Sequence, residues 1–181
     1  EQLDELAMTM RKDIGGIMSP FDAWLLIRGL KTLPVRLDRH CDNAAKIADK
    51  LKAHPKVGKI YYPGDPDFPQ YEIAKRQMKR PGGMISFELE GTKEDAQEFL
   101  NRCRLIKLAV SLGDSETLIQ HPATMTHAVV PEEERIKMGI TDNLIRLSVG
   151  LEAWEDIWED LKQALDAGAS VQEPEMTGIN Q

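Results

Sequence analysis

Arg146 is the residue whose type and setting point most clearly to chemistry. It lies in the alternating segment 144–149, where Leu144, Arg146 and Ser148 share one face and apolar residues take the other. A guanidinium among apolar residues keeps its charge and must meet water or an anion, because an unpaired buried charge is costly. Its planar fork matches a carboxylate or phosphate. The residues leave two alternatives, an anionic ligand or a structural ion pair with one of the 30 acidic side chains.

A second candidate is the segment 109–114, Ala-Val-Ser-Leu-Gly-Asp, whose pattern indicates a strand that enters a glycine-containing turn. Turns of this kind present backbone N–H groups and a hydroxyl, here that of Ser111, to an anion. An ordinary turn without a ligand is the alternative. Arg146 and this turn together indicate a small anionic ligand held between a strand and a turn.

Other reactive residue types give weaker signals. His121 and His127 are six residues apart around Pro122, so they do not present one helical face to a metal. Ser111 has no adjacent His or Asp that would activate it as a nucleophile. Lys107 lies in an apolar segment, where a lysine that extends its amine into solvent is a simpler interpretation than a Schiff-base lysine. From the spacing of the two histidines we predict no metal site.

Composition excludes several classes of function. The chain has 181 residues, 30 of them acidic and 23 basic, and its net charge of −7 with no basic block argues against nucleic acid as a partner. No apolar run is long enough for a membrane span or a signal peptide. Cys41 and Cys103 lack zinc-binding spacing and give no disulfide framework. These features predict a cytoplasmic protein that binds neither nucleic acid nor membranes.

The elements that must position these residues follow from hydrophobic periodicity and from capping residues. The predicted helices cover 19–30, 32–54, 70–78, 92–102 and 154–165, and the predicted strands cover 57–62, 84–90, 105–110 and 144–149. Strand and helix alternate, and one face of the strands is polar. This pattern predicts an α+β fold in which helices cover one side of a largely antiparallel sheet.

The two ends of the chain carry their own expectations. Residue 1 falls within a helical pattern that has no N-cap, which indicates a piece of a longer polypeptide or, alternatively, the frayed terminal helix of a complete protein. Residues 169–181 show no periodicity and are expected to form a loose tail.

Several long runs resemble one family, the pyridoxal-phosphate (PLP) enzymes of sulfur amino-acid metabolism that include cystathionine gamma-synthase, cystathionine gamma-lyase and methionine gamma-lyase. The runs are SPFDAWLLIRGLKTLP at 19–34, PGGM at 81–84, SLGD at 111–114, HPATMTH at 121–127, GITD at 139–142 and LIRLSVGLE at 144–152. The similarity extends from residue 1 to about 168. It implies the small C-terminal domain of the fold-type I PLP-dependent transferases, preceded by helices that end the large domain.

The resemblance also implies a domain organisation. Residues 1–18 would end the PLP-binding large domain, 19–56 would form long connecting helices, 57–168 would form the C-terminal α+β domain, and 169–181 would be the tail. The lysine that forms the Schiff base with PLP would lie upstream of residue 1. The chain would then contain no catalytic and no cofactor-binding residue, and residues 1–181 alone would be inactive.

Site residues follow from the same resemblance. Arg146 matches the arginine that binds the substrate carboxylate, Ser111 matches a residue of the same pocket, and Thr126 matches a threonine that lines it. Val110 and Leu112 flank Ser111 and are expected to contact the substrate. The family forms tetramers, so a homotetramer of the full-length enzyme is implied.

Val110 bears on the choice of substrate within the family. Members that process cystathionine usually carry Glu at this position, whereas an apolar valine suits a thiomethyl group, so the resemblance favours α,γ-elimination of L-methionine. A cystathionine gamma-lyase, a cystathionine gamma-synthase or a homoserine-ester sulfhydrylase is the alternative within the family. A non-catalytic fragment that acts as an assembly or binding domain is the alternative outside it.

Overall fold

The computed structural model describes residues 3–4 and 18–167, and the chain forms two compact units, residues 1–35 and 36–181. Of the predicted N-terminal helical pattern only residues 3–4 are described, and these are helical. The predicted tail, 169–181, lies outside the described residues. No helix among the described residues is long and apolar enough to cross a membrane.

In the first unit, helix α1 (Pro20–Leu30) begins where its capping residues predict. The Ser19 side chain accepts a hydrogen bond from the Asp22 backbone N–H at 3.1 Å, and Pro20 stands in the first turn. Asp22 places a negative charge near the positive end of the helix dipole. The predicted helix start is therefore confirmed.

The second unit is built on a five-stranded sheet. Its strands are β1 (Val57–Tyr61), β2 (Met84–Leu89), β3 (Lys107–Leu108), β4 (Leu118–Gln120) and β5 (Leu144–Ser148). They lie in the order β1-β2-β5-β4-β3. The pairs β1–β2, β2–β5 and β5–β4 are antiparallel, and β3 is parallel to β4. The predicted α+β fold with a largely antiparallel sheet is confirmed.

Further helices precede, separate and follow these strands along the chain, and together they supply about half of the core residues. They are α2 (Leu33–Lys52), α3 (Tyr71–Gln77), α4 (Lys93–Arg102), α5 (Glu132–Lys137) and α6 (Trp154–Asp166). Helix α4 opens with the predicted capping box, in which the Thr92 and Asp95 side chains each accept from the other's backbone N–H.

One hydrophobic core joins α2, α4 and α6 to a single face of the sheet. The strands contribute their inward residues, among them Ile85, Phe87, Ile119, Ile145 and Leu147, all of which are at most 1% exposed. Trp154 and Trp158 of α6 are partly buried against this core. Because side chains alternate along a strand, the residues between these core positions point to the opposite face.

The structure departs from the predicted elements in two regions. Strand β3 has only two residues instead of six. It begins later than predicted because α6 holds the chain before it: the Asp160 carboxylate accepts hydrogen bonds from the backbone N–H groups of Arg104, Leu105 and Ile106 at 2.9–3.1 Å. Strand β4 and helix α5 are absent from the predicted elements.

Candidate functional site

The sheet aligns four polar residues in one row on the face away from the core. Tyr61 lies opposite Ser86, Ser86 lies opposite Arg146, and Arg146 lies opposite Gln120. Residues directly opposite each other on antiparallel strands have Cα atoms about 5 Å apart. Arg146 therefore stands on the central strand β5 with a hydroxyl residue on one side and a buried amide residue on the other.

The Arg146 guanidinium makes one hydrogen bond within the described part of the chain, from Nη2 to the Ser111 carbonyl oxygen at 2.8 Å. Among residues 3–4 and 18–167, no carboxylate lies within ion-pair distance of it. Burial lowers the pKa of Arg146, although an arginine keeps its charge in proteins. The structural ion pair thus has no partner among the described residues, and the guanidinium has N–H donors to offer an anion.

The turn after β3 is tied to β5 at a second point. The backbone N–H of Gly113 donates to Ser148 Oγ at 2.8 Å, and Ser148 shares the face of β5 that carries Arg146. Gly113 has a φ of +77°, in the left-handed region that favours glycine. The turn therefore holds the Ser111 carbonyl beside the guanidinium.

The residues of this turn that were predicted to meet a ligand are exposed. Val110 and Leu112 are 59% and 58% exposed, and Ser111 is exposed between them. Ser111 contacts Arg146 through its carbonyl, whereas its hydroxyl and N–H, the groups predicted to bind an anion, make no hydrogen bond to the described residues. These two donors remain available to a ligand.

Gln120 also belongs to this candidate site, although its sequence context does not indicate it. It is only 1% exposed and lies opposite Arg146 in the β4–β5 register. Its Nε2 donates to Thr126 Oγ1 at 3.3 Å, while its Oε1 has no hydrogen-bond partner in the described part of the chain. Through this contact Gln120 connects the predicted pocket residue Thr126 to the row that contains Arg146. The only indication in the sequence is a polar residue at the end of segment 118–120. Three residues are too few to show the alternation of polar and apolar side chains that identifies a strand.

Thr126 Oγ1 has a second neighbour, because His127 Nδ1 lies 2.9 Å from it. Thr126 is exposed and His127 is half-buried. The hydroxyl therefore stands between a buried amide on β4 and a histidine ring.

His121 is a satisfied buried histidine. Its Nε2 donates to the Asp142 carbonyl oxygen at 2.7 Å, which leaves Nδ1 to accept from the Thr124 hydroxyl at 2.8 Å. Burial lowers the pKa of His121. Arg135, also buried, bonds Asp142 Oδ1 at 2.7 Å, so the cluster fixes the loop before β5. No group of three His, Cys, Asp or Glu side chains in residues 3–4 and 18–167 could hold a metal.

The segment that follows β5 is clamped between α2 and β4. Asn43 Nδ2 donates to the carbonyl oxygens of Gly150 and Glu152 at 3.0 and 2.9 Å. The Glu152 carboxylate accepts from the backbone N–H and the hydroxyl of Thr117 at 2.7 and 2.8 Å. These contacts fix the end of the strand that carries Arg146.

Residues 1–166 match the protein family described as the Cys/Met metabolism PLP-dependent enzymes. An L-methionine gamma-lyase of Fusobacterium nucleatum is 55% identical over 167 residues, which is 92% of this chain and 42% of that protein. A cystathionine beta-lyase of Coxiella burnetii is 52% identical over 163 residues, covering 90% of this chain and 42% of its own length. The chain thus spans less than half the length of these curated relatives.

A solved structure agrees with the sequence matches. The crystal structure of a cystathionine gamma-lyase from Lactobacillus plantarum, complexed with L-serine, superposes with a TM-score of 0.79 and 48% sequence identity. The matched region covers 91% of this chain and 43% of the Lactobacillus plantarum chain. The family match over most of the chain, the high identities and the shared fold lead to one conclusion: the chain belongs to the Cys/Met metabolism family of PLP-dependent enzymes.

Proposed function

We propose that this chain supplies the substrate-carboxylate clamp of a PLP-dependent lyase that acts on sulfur amino acids. The observation that carries the proposal is the Arg146 guanidinium, which is partly buried, bonds one backbone carbonyl and has no carboxylate partner among the described residues. An α-carboxylate fits the free part of the fork. The related structure from Lactobacillus plantarum holds L-serine, an amino acid with such a group, which supports this choice of ligand.

The clamp acts by orientation. Arg146 and the exposed hydroxyl and N–H of Ser111 grip the two carboxylate oxygens, so the amino acid loses rotation about its Cα. The bond to be broken is then held in one direction, which lowers the entropic part of the barrier. The apolar side chains of Val110 and Leu112 meet the rest of the substrate.

The residues around Arg146 fit a substrate and not the cofactor. The polar row and the 109–114 turn contain no lysine amine that could bond the aldehyde of PLP. PLP supplies an electron sink when it is bound. In this proposal, the lysine that bonds PLP and the rest of the PLP site belong to residues upstream of residue 1. We also propose that the full-length enzyme is a cytoplasmic homotetramer.

The domain organisation is part of the same proposal. Residues 1–18 end the PLP-binding domain, 19–56 form the connecting helices, 57–168 form the small domain that carries the clamp, and 169–181 form the tail.

For the substrate we propose L-methionine, which α,γ-elimination with water converts to methanethiol, 2-oxobutanoate and ammonia. Val110 supports this choice because its exposed apolar side chain, next to Ser111, suits a thiomethyl group. The Fusobacterium nucleatum relative named L-methionine gamma-lyase supports it as well. Cystathionine is the second candidate, favoured by relatives named cystathionine beta-lyase and cystathionine gamma-lyase at 52% identity.

Steady-state kinetics of the full-length, PLP-loaded protein test the proposal. We expect kcat/KM to be higher for L-methionine than for cystathionine, and we expect residues 1–181 alone to be inactive with both. A preference for cystathionine would replace the substrate and leave the clamp in place. Absence of lyase activity with either substrate would contradict the proposed function and favour a non-catalytic assembly or binding domain.

A further inference from the structure

We propose that His127 is a positioning residue that directs the Thr126 hydroxyl proton toward the substrate carboxylate. The inference rests on the proposed function, because it concerns the same carboxylate site. Thr126 Oγ1 is the junction of a short polar chain: Gln120 Nε2 lies 3.3 Å from it and His127 Nδ1 lies 2.9 Å from it.

The buried end of this chain is fixed beside the clamp. Gln120 is 1% exposed, and its backbone lies opposite Arg146 in the β4–β5 ladder. A buried amide that donates to Thr126 has little freedom to turn away, because its N–H would lose that bond without gaining water. Thr126 itself is exposed, so its hydroxyl is open to a ligand.

The partners of the Thr126 hydroxyl decide whether it presents a proton or a lone pair to the ligand. A threonine hydroxyl has one proton and two lone pairs, and Gln120 already donates to one lone pair. If His127 Nδ1 carries no proton, the Thr126 proton goes to that nitrogen. Only the remaining lone pair of Oγ1 then faces the ligand, and a carboxylate, which is an acceptor only, is repelled.

A proton on His127 Nδ1 favours binding of the carboxylate. If His127 Nδ1 carries a proton, His127 and Gln120 both donate to Thr126 Oγ1, and the hydroxyl proton is free to bond a carboxylate oxygen. The carboxylate beside Arg146 would then gain one further charge-assisted hydrogen bond. His127 thus acts through Thr126 and does not touch the substrate itself.

The test uses four variants of the full-length, PLP-loaded protein with L-methionine, or with cystathionine if that is the better substrate. His127→Leu removes the ring donor, and His127→Asn replaces Nδ1–H by an amide N–H. Thr126→Val and the double variant Thr126→Val with His127→Leu close a double-mutant cycle. We expect His127→Leu to raise KM about threefold with kcat within about twofold of wild type, because the Thr126 hydroxyl loses the donor that directs its proton toward the carboxylate and turns freely. We expect His127→Asn to restore KM, and His127→Leu to add nothing in the Thr126→Val background.

Three results would overturn the inference: an unchanged KM in His127→Leu, a KM in His127→Asn as high as in His127→Leu, or additive effects of Thr126→Val and His127→Leu. Arg146→Ala, measured in parallel, separates this inference from the proposed function. If Arg146→Ala leaves KM and kcat/KM unchanged, the clamp itself is wrong. If Arg146→Ala impairs the enzyme while any of the three results is found, only the role of His127 is wrong.

Discussion

The guanidinium of Arg146 donates a hydrogen bond to the carbonyl oxygen of Ser111, 2.8 Å away, so the central strand of the sheet holds the turn that follows β3. Ser148, two residues further along the same face of β5, accepts from the Gly113 N–H at 2.8 Å. These two hydrogen bonds fix the position of the proposed substrate-binding turn relative to Arg146. One strand, β5, therefore holds both parts of the proposed clamp.

Ser148→Ala tests this anchoring. The substitution removes the acceptor of the Gly113 N–H, and we expect the free energy of unfolding to fall by about 1 kcal/mol, the usual net value of one hydrogen bond. Chemical denaturation of this chain measures the change. Ser86→Ala is the matched control, because the hydroxyl of this half-buried serine on β2 makes no hydrogen bond within the described residues. Equal free energies of unfolding in both variants would contradict the anchor.

Gly150→Ala tests the close packing after β5. A Cβ at this position would lie 2.5 Å from the Thr117 backbone N and 2.6 Å from the Glu116 carbonyl carbon, and backbone atoms have little room to move. We expect a loss of about 1–3 kcal/mol in the free energy of unfolding. Gly29→Ala is the control, because the methyl group it adds would meet no atom within 4 Å among the described residues, and the residue is helical. That variant should be neutral or more stable, since alanine favours helix.

His121→Gln tests a pH dependence of stability. Burial lowers the pKa of His121 in the folded chain below its ordinary value of 6.5, so the unfolded chain binds the proton first as the pH falls. The stabilising effect of the neutral ring is complete above 6.5 and is lost as the pH falls through the folded-state pKa. A glutamine retains a donor for the Asp142 carbonyl and does not titrate. Between about pH 7 and pH 5 we therefore expect the free energy of unfolding to fall less in the variant than in wild type; parallel curves would contradict this account.

Val110→Glu tests the choice of substrate. A carboxylate at this exposed position would attract the distal ammonium group of cystathionine and would disfavour a thiomethyl group. In the full-length enzyme we expect the ratio of kcat/KM for cystathionine to that for methionine to rise on the order of fivefold, as for one exposed ion pair. Val129→Glu is the control, because Val129 is 93% exposed and lies outside the turn. The same ratio in both variants would mean that Val110 does not select the substrate.

Local signals predicted most of the fold. The start of α1 and the capping box of α4 depend on residues within one helical turn, and both are found where the sequence places them. Strand β3 begins later than predicted because the residues before it bond to Asp160, which is more than fifty residues away in the chain. Strand β4 is three residues long and wholly buried, so it has no alternation to detect.

The residues of the candidate site likewise differ in whether the sequence alone indicates them. Arg146 was identified because a charged residue in an apolar strand is visible in the sequence. Gln120 was missed because its place beside Arg146 depends on the register of β4 against β5, which a sequence does not reveal. The hydrogen bond from Arg146 to the Ser111 carbonyl was likewise not predicted, since the sequence indicated the hydroxyl and N–H of that residue.

The central claim is tested most directly by kcat/KM of Arg146→Ala in the full-length, PLP-loaded enzyme. Loss of a bidentate charged contact to the substrate carboxylate should lower kcat/KM on the order of a hundredfold. Arg76→Ala, which removes an exposed arginine of α3, should leave kcat/KM at the wild-type value. A kcat/KM for Arg146→Ala equal to that of wild type would show that this guanidinium does not hold the substrate.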